Sequence, residues 1–182
     1  MFATLVFLVL SVAVAFGGEE NVAYFDNFQC TFNNDFCGKT NCILTPHNDK
    51  QTEQTSTVSC ELKKSVDDVR FRVIIFAKEL QANLVDMEED FCGFMSGKDD
   101  AKVLAVLMPF VKKHSNINHP CPYSGLIQIS EMPLGSHLLE SHDIPAGDYI
   151  LNIQMISGGA TAFNTTSMLH IPEGKAVKAT GK

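Results

Sequence analysis

Three kinds of side chain in this sequence could do chemistry. His137-Leu138-Leu139-Glu140-Ser141-His142 sets two imidazoles and a carboxylate within six positions, the ligand types of a zinc hydrolase. Its spacing is H-x-x-E-x-H, which matches neither H-E-x-x-H nor H-x-x-E-H. On a strand His137 would face away from Glu140 and His142, so convergence would need a helical turn just before Pro145. A surface strand or loop is expected, and no metal is assigned. His119, between Asn118 and Pro120, lacks a nucleophile and oxyanion donors, and the chain has no G-x-S-x-G elbow. Its expected role is to fix a backbone turn beside Cys121. Asp86, Glu88, Glu89 and Asp90 alternate onto both faces of a strand, which suits a solvated edge better than an acid/base pair.

Cysteines are the third kind. Cys30, Cys37, Cys42, Cys60, Cys92 and Cys121 make an even set. Cys37 and Cys42, with four residues between them, are marginal for a zinc knuckle. Residues 1–17 carry no charge, and Leu5-Val6-Phe7-Leu8-Val9-Leu10 opens an apolar core that ends in small residues near Ala13, Ala15 and Gly17. That is the pattern of a secretory signal peptide, with cleavage expected near Gly17. The run is shorter than the roughly 20 residues of a spanning helix. Behind such a leader, paired cysteines imply disulfides in an oxidising compartment, and six of them allow fifteen pairings. No membrane span is expected in the mature chain.

The formal net charge is −7 and no basic run reaches five residues, which argues against nucleic acid as a partner. Lys112-Lys113 suits a helix C-terminus. Asn164-Thr165-Thr166 is a glycosylation sequon, expected at the surface of a secreted chain.

Such side chains must be positioned by regular elements. Val69, Phe71, Val73 and Ile75 alternate with Arg70 and Arg72; Tyr149, Leu151, Ile153 and Met155 alternate likewise; so do Gly125, Ile127 and Ile129. Each reads as a half-buried strand. Weaker strands are expected over 23–28, 42–45, 55–62, 84–91 and 160–171. From Asp99 to Lys113, Val103, Leu104, Leu107, Phe110 and Val111 recur at helical spacing, and Pro109 should kink or end that helix in its last turn. The sum is an all-β, two-sheet sandwich or cup with one short covering helix. A single domain is expected over 18–173, with 174–182 a flexible tail.

The Phe25-x-x-Phe28-x-Cys30 opening, Cys37 and Cys42, Asp90-Phe91-Cys92-Gly93-Phe94, the helix, the Asn116-to-Tyr123 block and Pro145-x-Gly147-Asp148-Tyr149 resemble an insect secreted family of uncharacterised domains that includes the CheB chemosensory proteins. That family is in turn distantly similar to ganglioside-activator and ML lipid-recognition proteins, whose β-sandwich opens as a cup for lipid. The resemblance implies an immunoglobulin-like, disulfide-stapled sandwich with Cys92 paired to Cys121, a loop worth ~3.5 kcal/mol of unfolded-state entropy. It further implies Cys30–Cys42 and Cys37–Cys60, the competing arrangement being Cys37–Cys42 with Cys30–Cys60; Cys60 lies outside the family pattern.

It implies a secreted, lipid-binding glycoprotein that is neither an enzyme nor cofactor-dependent, holding a small hydrophobic ligand such as a lipid, fatty acid or pheromone-like hydrocarbon for presentation to a membrane receptor. Phe71, Val73, Ile75, Leu104, Leu107, Phe110, Ile127, Ile129, Leu151, Ile153 and Met155 are the expected cavity residues, although the same faces would serve a filled core. An acyl chain of about sixteen carbons would gain ~12 kcal/mol gross by burial. The alternative is a ligand-free secreted interaction module or co-receptor, acting through its surface in chemosensation or innate recognition.

Overall fold

Among the described residues, period-two alternation of β-branched and aromatic residues builds eight antiparallel strands. The computed structural model describes residues 23–47, 53–134 and 145–173. They are β1 (Tyr24–Phe32), β2 (Cys37–Pro46), β3 (Gln54–Val66), β4 (Arg70–Ala77), β5 (Ala82–Asp90), β6 (Tyr123–Leu134), β7 (Gly147–Ser157) and β8 (Ala160–Ile171). Between β5 and β6 lie two helices, α1 (Phe91–Met95) and α2 (Lys102–His114). One sheet has the order β1-β8-β7-β4-β5 and the other β2-β3-β6, which makes an all-β, two-sheet sandwich. The expected signal segment, the expected tail and the 137–142 motif lie outside the described residues.

Register shows why the faces segregate. Phe71 pairs with Met155, Met155 with Phe163, and Phe163 with Phe32, so one row of large apolar side chains crosses the inner face of the larger sheet. The neighbouring outward row carries Arg72, which pairs with Gln154 and Glu88 and binds Asp86 in a fork at 2.7 and 2.8 Å. The β7–β8 hairpin turns on Gly158 and Gly159, at φ 57° and 77°; a two-residue turn with both φ positive matches the twist of the flanking strands.

Three disulfides staple the fold: Cys30–Cys42, Cys37–Cys60 and Cys92–Cys121. The first joins β1 of the larger sheet to β2 of the smaller. The second links β2 to β3 within one sheet, and the third brackets α2. A buried polar clamp also crosses the sheets: the Gln54 amide accepts from Phe25 N at 2.7 Å and donates to Phe25 O at 2.6 Å. Gln54 is only 3 % exposed. It satisfies backbone groups of β1 beside a break in the β1–β8 pairing at Asp26/Gln29, groups that would otherwise be buried unpaired.

The buried side chains form two groups. One closes an end of the sandwich with Phe36, Cys37, Cys60, Phe91, Met155, Phe163 and their neighbours. The other, Phe25, Ala77, Leu134, Tyr149, Leu169 and Ile171, fills the opposite part.

A candidate ligand-binding cavity

Between these two groups the sheets do not fill their own interior. Phe71 and Val73 from β4, Leu151 and Ile153 from β7, and Phe25 from β1 form one wall. Ile129, Met132 and Leu134 from β6 form the facing wall, and Leu104, Leu107, Met108, Phe110 and Val111 of α2 form the roof. Phe91 and Ile117 complete a cavity of about 140 Å³. All fifteen described lining residues are apolar.

The roof follows from helical spacing, since positions 104, 107, 108 and 111 share one face at i, i+3, i+4 and i+7. The helix begins at Lys102, three residues later than expected, and Pro109 sits inside it without ending it. Its N-cap, Ala101, has no side-chain acceptor. Glu89 of β5 supplies one instead, its two carboxylate oxygens accepting from Val103 N at 2.9 Å and Leu104 N at 2.8 Å. A carboxylate there both caps orphan amides and meets the positive end of the helix dipole. Lys112, Lys113 and His114 complement the other end.

The remaining carboxylates of that strand also have structural work. Asp86 and Glu88 pair with Arg72 and Arg70 on the outer face, and the hydrogen bond from Arg72 holds the Asp86 carboxyl below the usual range. Asp90 caps α1 by accepting from Gly93 N at 2.9 Å. A Cβ on Gly93 would stand 2.6 Å from that carboxylate, so the cap requires glycine. His119 donates from Nδ1 to Pro120 O (2.7 Å) and lies against the Tyr123 ring, whose hydroxyl donates to His119 O. It braces the turn before β6.

Eight residues expected at a cavity do line it: Phe71, Val73, Leu104, Leu107, Phe110, Ile129, Leu151 and Ile153. Three stand elsewhere in the sandwich. Met155, 2 % exposed, and Ile127, opposite Cys60 in the register, belong to the closed end, where phenylalanines and the Cys37–Cys60 bridge fill the space. Ile75 packs against the Phe25–Tyr149–Leu169 group. Inward alternation is common to the eight of these that stand on strands; only the depth along the sandwich separates them. Of the lining residues missed in the sequence, Met108 could have been found at i+4 from Leu104. Met132 and Leu134 have no such signal, because a bulge between Ser56 and Val58 sets the β6 register there; Phe25 stands on β1 next to a break in its own pairing with β8.

Two surface grooves are larger, about 420 Å³ beside Tyr24, Glu79, Asp148 and His170, and about 390 Å³ beside Lys113, His114, Gln128 and Glu131. Both are lined largely by polar and charged groups. At the first, His170 meets Asp148 at 2.7 Å and Asp26 at 3.1 Å, and its hydrogen bond, ahead of that from Lys78, lowers the Asp148 pKa. Among the described residues no three potential metal ligands converge, and no helix is long and apolar enough to cross a membrane.

Fold and cavity together define a disulfide-tied β-sandwich with an apolar interior space under a helix. A family of proteins of unknown function, DUF1091, matches residues 68–151, the span that carries thirteen of the fifteen described lining residues. No curated protein matches the chain. Among solved structures, chicken MD-1, crystallised in complex with lipid IVa, aligns over 82 % of this chain and 96 % of its own at 11 % identity, with a TM-score of 0.36.

Proposed function

We propose that this chain is a secreted binding protein for a small hydrophobic ligand, held between the sheets beneath α2. The observation that carries the reading is the cavity of about 140 Å³ with fifteen apolar and no polar residues among its described lining. An apolar cavity of this size stays dry, and the contacts it forgoes are recovered when a ligand fills it. Three formed disulfides support an oxidising, extracellular setting. The motif resemblance supports membership in the CheB-containing insect family, with presentation of the ligand to a membrane receptor. No catalytic role and no cofactor belong to this reading.

The energetics limit the affinity. A group of about six carbons gains ~5 kcal/mol gross on burial, close to the ~4 kcal/mol or more that association costs. Binding is weak and exchange fast, as suits a carrier that must release its cargo. The same reading places an N-glycan on Asn164, whose side chain stands on the outer face of β8 and accepts from Asn152 Nδ2 at 2.7 Å. Removal of a glycan by an amidase from protein secreted by eukaryotic cells should lower its mass.

Native mass spectrometry of that secreted protein, with organic extraction, should release an apolar molecule on denaturation, and small hydrocarbons should perturb the cavity methyl resonances. A bare chain whose methyl resonances respond to no hydrocarbon would overturn the reading. It would favour the second one, a surface-acting interaction module, to which the exposed Ile43 on β2, Leu84 and Met87 on β5 and Leu126 on β6 lend support.

A further inference from the structure

We infer that the cavity selects a neutral, headgroup-free hydrocarbon moiety of about six carbons, and that Leu107 and Phe110 set this limit. The inference rests on the proposed ligand-binding function and narrows its chemistry. Two observations carry it. The first is volume: about 140 Å³ equals the space in which an engineered apolar cavity of ~150 Å³ takes up benzene. A sixteen-carbon acyl chain does not fit within it. The second is polarity, since no described lining residue offers a donor or acceptor, only hydrocarbon and the thioethers of Met108 and Met132. A hydroxyl or carboxylate placed inside would lose its hydration and find no partner.

The walls differ in how easily they can yield. The strand residues Val73 and Ile153 sit opposite each other in a continuous ladder, with one disulfide tying the sheets at β1 and β2. The roof is a single helix whose start is held by the Glu89 carboxylate. Leu107 and Phe110 are half-buried on that helix, so their bulk sets the space without holding the two sheets together.

The test uses the full disulfide-bonded chain, titrated by methyl NMR with benzene, n-hexane, phenol, hexanoate and palmitate. Benzene and hexane should saturate at the resonances of Leu104, Leu107 and Ile129. Phenol and hexanoate should bind at least about tenfold more weakly, for want of a buried partner, and palmitate should leave these resonances in place. Phe110→Ala should move the optimum to longer alkanes such as n-decane, while Leu107→Phe should abolish hexane binding; thermal melts of both variants verify that they are folded. Palmitate or hexanoate binding more tightly than hexane would sink the size and polarity limit while leaving a hydrophobic-ligand function standing. Saturation by none of the five compounds would sink both.

Discussion

The closed end of the sandwich and the cavity beneath α2 are built from the same residue types in the same alternating pattern, yet one is solid and the other hollow. At the closed end the two sheets meet directly, Met155 and Phe163 of the larger packing in one group with the Cys37–Cys60 bridge of the smaller. Over the cavity the three-stranded sheet runs out, and a helix replaces the missing strands. A helix presents a curved row of side chains spaced 3.6 to the turn, which does not interdigitate with a flat pleated face as a second sheet does. The uncovered flank is visible on β5, where Met87, paired with inward Val73, is 39 % exposed, as is Val106 of α2 at 40 %.

Large-to-small substitutions should separate the two regions most sharply. Met155→Ala at the closed end should cost about 3 kcal/mol, the usual outcome of emptying a packed site. Leu107→Ala should cost only about 1 kcal/mol, since its side chain is half-buried and already lacks neighbours on one side. Urea melts of both variants are the measurement, and equal losses would mean that the interior beneath α2 is packed after all.

Next in size is the anchor of the roof. Glu89→Ala removes the acceptor for two helix amides and should cost about 1 kcal/mol. Hydrogen exchange at Val103 and Leu104 should accelerate while the amides of β7 and β8 keep their protection. Uniform acceleration through both sheets would show that the helix does not open separately.

A smaller effect concerns pH where β7 begins and β8 ends in the larger sheet. Asp148 has its pKa lowered, first by the hydrogen bond from His170. A depressed carboxylate contributes stability that is fully present above its unfolded value near 3.9 and is lost as pH falls through the folded value. Asp148→Asn should therefore flatten the acid limb of the stability curve below about pH 4, relative to the parent chain. An unchanged slope would remove this group from the balance.

Least should follow from the outer face. Arg70 pairs with Glu88 at 2.9 Å, both substantially exposed, and Arg70→Ala should change stability by less than about 1 kcal/mol. A larger loss would mean that the outer row of the sheet also bears on the core.

Much of this was legible because it is local. Val69 to Ile75 and Tyr149 to Met155 announce β4 and β7 by alternation, and Leu104, Leu107 and Val111 announce α2 by helical recurrence. Two carboxylates of one short run, by contrast, hide what they do. Glu89 and Asp90 are neighbours in a polar stretch, and nothing local says that one caps the helix at Val103 and the other the helix at Gly93. Gln54 is equally silent in the sequence: a polar residue opening β3 reads as surface, and it is buried because a broken ladder in β1 needs its amide.

By itself, then, the sequence determined which residues face inward, where the helix recurs and how many sulfurs must pair, since these depend on period, composition and count. Tertiary structure alone decided how deep each inward residue lies, and so which of Ile127, Ile129, Ile153 and Met155 fill a core and which line a space. A period of two records the side of the sheet on which a residue stands. It carries no information about what stands opposite, and a cavity is a property of both walls.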